Sequence, residues 1–259
     1  NYNYSLSNLF NNGPFYHIGG KLNWAISDKF ALMGGVINDV DALYDNNKTP
    51  GYIGQMFLSP AKGWNIYING ITSNESNPDP VTGNFVSGLY SLLDLTTGYQ
   101  ITDKFYLGLN AAYGEQKGDY QGAPGPVVGT FDSTGTETDS VHSPASPKDW
   151  GGFALYSNFQ FNKYFGLGVR AEYFDNTAGA RYLRNRYTNT GGTDVTSITV
   201  TAKITLDEGH VILKPEWRMD SFKKAADPFG VGTQQFMDTN GKFTLNSQST
   251  VGLALIYVY

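Results

Sequence analysis

The chain has 259 residues, of which 16% are charged and 15% aromatic, with 31 Gly, 11 Pro, no Cys and a formal net charge of -5. Eighteen Tyr and sixteen Phe at so low a net charge exclude an intrinsically disordered chain, and the missing Cys excludes a disulfide scaffold, a thiolate metal site and a thiol nucleophile. The mild acidity, with no basic run longer than Lys223-Lys224, gives no footprint for nucleic acid, and no apolar run approaches the roughly 20 residues of a membrane-spanning helix.

The repeating signal is strict alternation, the mark of strands with two chemically different faces. Either residues 2–6 are a short twelfth strand turning at Asn12-Gly13-Pro14, or an odd number of strands precedes Asn1. Next comes a strand with Tyr16, Ile18, Gly20, Leu22, Trp24 and Ile26 on one face and Lys21 on the other. It turns at Ser27-Asp28-Lys29 into a partner over 30–38. Strands near 51–59 and 64–72 flank Ala61-Lys62-Gly63. In 87–101, Leu89, Leu93, Leu95, Thr97, Tyr99 and Ile101 oppose Tyr90, Asp94, Thr96 and Gln100. After Thr102-Asp103-Lys104 the pattern resumes with Phe105, Leu107, Leu109, Ala111 and Tyr113. A hairpin over 153–173 turns near Asn162-Lys163 and another over 194–220 turns at Asp207-Glu208-Gly209. A last strand runs from Ser249 to Tyr259, for about 11 strands in all.

Tight turns alternate without exception with long polar connections at 39–50, 73–86, 115–149, 176–192 and 221–247. A transmembrane barrel requires that order, with short turns on one rim and long loops on the other, whereas a soluble sandwich does not. The reading is therefore all-β: a single transmembrane antiparallel up-and-down barrel domain over 1–259. The apolar face carries no charge, while the opposite face holds Lys21, Asp94, Arg170, Glu172, Lys203, Lys214, Glu216 and Arg218 in mid-strand. In a barrel those eight line water, as a field that tunes ion passage or as cross-strand pairs that stiffen the wall.

Phe105 and Tyr113 bracket one apolar face and Phe165 and Tyr173 another, eight residues apart. At a strand tilt near 40° this spans about 20 Å, close to the band between two aromatic girdles. Trp24, Tyr99, Phe161, Trp217, Tyr257 and Tyr259 complete the expected girdles, and a terminal aromatic on the last strand resembles the insertion signal of outer-membrane proteins.

Several phrases carry a family resemblance: residues 1–10, Pro14-Phe15-Tyr16-His17-Ile18-Gly19, the descending strand to Ser27-Asp28-Lys29, and 30–38. Residues 156–163, 169–175 and Lys214-Pro215-Glu216-Trp217-Arg218 add to it. Together they resemble the OmpL-like β-barrel porin family along essentially the whole chain. The resemblance implies an outer-membrane barrel with passive transport and supplies no solute. It also implies strands ahead of Asn1 and a barrel of about 16 strands, an even number as bacterial barrels have.

Catalytic signals are thin. His17, His142 and His210 are scattered, and Ser91 and Ser157 share the apolar face with no His. The run of Asp39, Asp41 and Asp45 offers oxygens for Ca²⁺ but lacks the Gly and terminal Glu of an EF-hand loop, and Gly166-Leu167-Gly168 lies within a strand rather than before a helix. No enzyme and no cofactor is implied. The leading expectation is a porin passing small polar solutes or ions, with lipid around it. The acidic loop 115–149 would fold inward as a constriction, while loop 176–192 is basic, with Arg181, Arg184 and Arg186. The alternatives are a plugged barrel that docks a surface lipoprotein or another subunit, a secreted β-sandwich or lectin, and a membrane enzyme.

Overall fold

The computed structural model describes residues 2–45, 47–76, 83, 88–118, 127–131, 137–142, 146–181, 183, 191–227, 230 and 232–258. The alternating segments form β1 (Gly19–Ser27), β2 (Phe30–Ile37), β3 (Gly51–Ala61), β4 (Trp64–Asn74), β5 (Leu89–Thr102) and β6 (Phe105–Gln116). After a separate hairpin, β7 (Val127–Phe131) with β8 (Glu137–His142), come β9 (Lys148–Gln160), β10 (Phe165–Asp175), β11 (Asp194–Leu206), β12 (Val211–Phe222) and β13 (Ser247–Tyr257). Apart from β7 and β8 they make one 11-stranded antiparallel sheet in sequence order, with β1 and β13 as its two edges. No helix among the described residues is long and apolar enough to cross a membrane, which says nothing of strands.

Two sequence expectations change. Connection 115–149 contains a strand pair, β7–β8, that the sequence reading did not assign. Residues 2–6 are not a further strand; they lead into a single helical turn, α1 (Asn8–Asn12), whose N-cap Ser7 accepts a hydrogen bond from the Phe10 amide. The reason is competition for backbone partners. The amides of this segment find side-chain carboxylates on the sheet, as described below, and need no strand edge.

Short turns set the register. Their side chains accept the amides that the hairpin leaves over: Ser27 Oγ from Lys29, Thr102 Oγ1 from Phe105 and Asn162 Oδ1 from Phe165. The turn between β3 and β4 needs the left-handed backbone at Gly63, φ +80°. With register fixed, partners across the sheet share a face. Trp24, Leu32, Met56, Ile68, Leu95, Ala111, Phe153 and Tyr173 form one continuous outward row. Asn23, Met33, Gln55, Asn69, Asp94 and Ala112 form the adjacent inward row. The outward face is apolar and bare: Leu22 is 83% exposed, Val251 79% and Leu255 69%. A water-soluble protein does not present such a surface over its whole outer side, whereas lipid tails cover it without cost.

The buried core lies inside the sheet's curl, toward the long connections. Tyr90, Trp150, Phe174, Val195, Ile37, Ile71 and Val40 pack there with Leu9 from α1. Trp150 and Phe174 meet at 6.0 Å between ring centroids.

Candidate functional site

Residues 2–13 form a strap lying on the inner face of β9 to β13. Its peptide groups are held by the charged side chains of the wall. Glu216 accepts the Tyr4 and Ser5 amides at 2.7 and 2.9 Å, and Thr201 Oγ1 donates to the same carboxylate while accepting from Asn3 Nδ2. Arg170 donates to the Ser5 and Leu6 carbonyls at 2.7 and 3.2 Å, Arg218 to Leu6 O at 2.8 Å, and Lys214 to Tyr2 O at 2.9 Å. Glu172 accepts both the Asn8 amide (2.9 Å) and Asn8 Nδ2 (3.1 Å).

Burying such charges is costly unless each is paired. Here Glu172 lies 3.4 Å from Arg218 and 3.8 Å from Arg170, and Arg218 also reaches Asp220 at 2.8 Å, so the ladder is a mutual neutralisation that doubles as a clamp.

The wall is also shaped for the strap. A Cβ on Gly168 would stand 2.3 Å from the Tyr2 ring, and one on Gly166 would stand 2.3 Å from its hydroxyl. The two glycines let that ring lie flat on β10.

The strap narrows the lumen without filling it. A cavity of about 850 Å³ lies toward the short turns, lined by Tyr2, Gln100, Lys104, Tyr106, Tyr156, Lys203, Lys214 and neighbours. A second, of about 460 Å³, lies toward the long connections, against Leu9, Phe15, Met33, Ile53, Leu92 and Trp150. Phe10, Thr96 and Asn110 border both.

At the long-connection end the chain after β10 folds inward. Buried Arg181 lies over the rings of Tyr90 and Trp150, at 5.9 and 5.4 Å, and Asn176 ties its turn by accepting the Arg181 amide and donating to Leu183 O. Beside it, Glu75 accepts the Val40 amide at 2.9 Å, and burial pushes its carboxyl up to about 7, with nearby Asp39 adding to the rise.

Register places all eight charges read from the sequence on the inner face, but in different surroundings. Arg170, Glu172 and Glu216 are at most 5% exposed, because the strap covers them; sequence alone had them facing water. Lys21 is exposed on edge strand β1. Asp94 accepts from Asn69 Nδ2 at 2.8 Å and Asn110 Nδ2 at 2.5 Å. Lys203 makes no hydrogen bond or ion pair among the described residues, and with Lys214 it lines the larger cavity.

Of the girdle residues, Tyr99 meets Trp64 in a tilted pair (5.7 Å), which the sequence reading missed, and Phe105, Phe159, Phe161 and Phe165 form one outward cluster. Tyr173 meets Phe153 toward the opposite rim, and Tyr113 is exposed there too. Trp24 and Tyr257 are bare beside short turns, whereas Trp217 is in mid-strand, partnered by Val200 and Val251. Tyr259, Arg184 and Arg186 lie outside the described residues.

The other candidates have plain partners. Asp41 Oδ1 accepts the Phe15 and Tyr16 amides, Asp45 Oδ1 accepts the Asn47 and Lys48 amides, and Ser91 bonds Thr72 across strands at 3.2 Å. His210 Nδ1 lies 2.8 Å from Val258 O, and among the described residues no three His, Asp or Glu side chains gather as metal ligands.

The strap itself was the missed element. Residues 2–7 alternate Tyr2, Tyr4 and Leu6 with Asn3, Ser5 and Ser7 and so read as a strand, and the one available signal against that was the run Gly166, Gly168, Arg170, Glu172 on the inner side of β10, small residues giving way to charges where a second layer lies on top.

A family model described as "Putative beta-barrel porin-2, OmpL-like" matches residues 1–259. Among solved structures, the chain is similar to one described as "CymD monoaromatic hydrocarbon channel", with 9% identity, 80% of this chain and 68% of that chain covered, and a TM-score of 0.39. No curated protein matches.

Proposed function

The chain belongs to the OmpL-like family of β-barrel porins, and from that premise we propose that it is a channel of the bacterial outer membrane through which small polar solutes and ions diffuse passively. The observation that carries this reading is the pair of cavities left beside the strap, meeting at Phe10, Thr96 and Asn110. A plug evolved for closure would be packed to interior density, whereas this one leaves polar wall and space for water. A transport role is in keeping with the wall charges Arg170, Glu172 and Glu216, which are occupied in holding the strap.

Planar-bilayer conductance of the detergent-purified protein tests this. Steady ohmic steps support the channel. The second reading, a non-conducting barrel that docks an envelope partner, draws on how fully the strap covers Arg170, Glu172 and Glu216. A folded barrel that inserts and never conducts selects that reading.

A further inference from the structure

The larger cavity has two aromatic rings laid against its wall. Tyr106 rests on Gly98 and Gly108, where an added Cβ would stand 2.2 and 2.9 Å from its hydroxyl, just as Tyr2 rests on Gly166 and Gly168. A ring held flat on the wall turns a face, rather than an edge, to the space beside it. Tyr106, Asn158 and Gly168 are direct partners in one inward row of β6, β9 and β10. At about 4.8 Å per strand, the two rings therefore stand roughly 10 Å apart with Asn158 between them.

The polar groups around the rings are mostly acceptors that nothing uses. Gln100 donates Nε2 to the Thr102 and Phe105 carbonyls and Gln160 donates Nε2 to Asn162 O, and neither Oε1 accepts a hydrogen bond among the described residues. Asn158 Oδ1 and the Tyr2 hydroxyl, buried at the same wall, have no partner. The cavity is otherwise cationic, with Lys104, Arg170, Lys203 and Lys214 against the single carboxylate of Asp103. Lys203 is the partner of Gly166, which puts it level with Gln160 and leaves its ammonium outside the strap's bonds. Unused carbonyl oxygens disfavour an anion and the lysines disfavour a cation. A hydroxyl suits both, since it donates to an amide oxygen and accepts from an ammonium.

We propose that the larger cavity binds short neutral saccharides of disaccharide length. The C–H faces of the sugar rings cover Tyr106 and Tyr2, and the hydroxyls bond Gln100, Asn158, Gln160 and Lys203. All of these groups belong to one row of the sheet or to the next row toward the short turns, so a single solute spans them. The proposal deepens the channel reading and rests on it for transport, while binding itself is measurable without conduction.

The experiment is saturation-transfer NMR on the whole chain in an amine-oxide detergent, which has no sugar headgroup, with maltose as the probe. Maltose should give a saturable signal strongest on its ring C–H protons. Glycerol, which has hydroxyls but no ring face, should give none, and lactobionate, an anion of similar size, should bind no more tightly than maltose. Tyr106→Leu should weaken maltose binding roughly tenfold, and Tyr106→Phe, which keeps the aromatic face, should not. Asn158→Leu should weaken it roughly fivefold, as the loss of one hydrogen bond does. Heat-modifiable gel mobility reports that each variant is folded. No saturable maltose signal in the folded protein, an unchanged affinity in Tyr106→Leu, or lactobionate binding roughly tenfold tighter than maltose overturns the site. If maltose binds but no current passes in bilayers, the site stands and the channel reading falls. If current passes with no maltose signal, the channel stands and the site falls.

Discussion

Replacing Glu216 by Ala should release the strap without unfolding the sheet. The carboxylate accepts two strap amides, from Tyr4 and Ser5, at 2.7 and 2.9 Å. Hydrogen bonds to a charged acceptor contribute about 1.5–3 kcal/mol each, so the pair is worth about 3–6 kcal/mol. The lower figure is the better guide, since the freed amides reach water once the strap lifts. About 3 kcal/mol raises the detached population roughly 100-fold. Because the chain has no Cys, a single Leu9→Cys gives an unambiguous reporter at a side chain 4% exposed in the native core. Its reaction with a water-soluble maleimide should accelerate by roughly that factor in the Glu216→Ala background. Glu216→Gln, which keeps an acceptor oxygen, should fall between. The folded barrel's heat-modifiable gel mobility should be unchanged in both. An unaltered labelling rate in Glu216→Ala would refute the claim that this carboxylate clamps the strap.

Other consequences are directly measurable. Gly168→Ala should displace the Tyr2 ring, which lies 2.3 Å from the new Cβ, and enlarge the cationic cavity; higher unitary conductance with unchanged barrel stability is the expected result. Leu107→Arg and Leu155→Arg place charge on the lipid face and should cost about 2–4 kcal/mol near the bilayer midplane, whereas Asn110→Arg and Asn158→Arg on the inner face should fold; equal refolding yields into vesicles would invert the assignment of faces. Glu75 has its folded pKa raised to about 7 from 4.5, so the folded state favours the neutral acid. Its support of the 39–45 connection is therefore full below pH 4.5 and declines as pH rises to 7. Amide exchange at Val40 should quicken over that window, and Glu75→Gln should remove the dependence.

Sequence alone determined what is local. Alternation with period two decided which segments are strands, which face of each is apolar and which connections are tight, because successive side chains must point to opposite sides. Leu93, Leu95 and Tyr99 are outward and Asp94 inward for that reason alone, and the tight turns then fixed register by leaving one pairing available. The same rule placed all eight charges on one face. It had no means of placing the strap.

Contacts such as Glu216 with Tyr4 and Arg170 with Ser5 join residues 212 and 165 positions apart, and no periodicity reports a partner at that separation. Only the tertiary structure decided that the inner wall of β10 to β12 has a second layer, that Gly166 and Gly168 exist to admit a ring, and that Arg181 closes over Tyr90 and Trp150. The physical reason lies in the backbone of residues 2–13. Its peptide groups must be satisfied somewhere, and the folded sheet offers carboxylates and guanidinium groups that its own ladder does not consume.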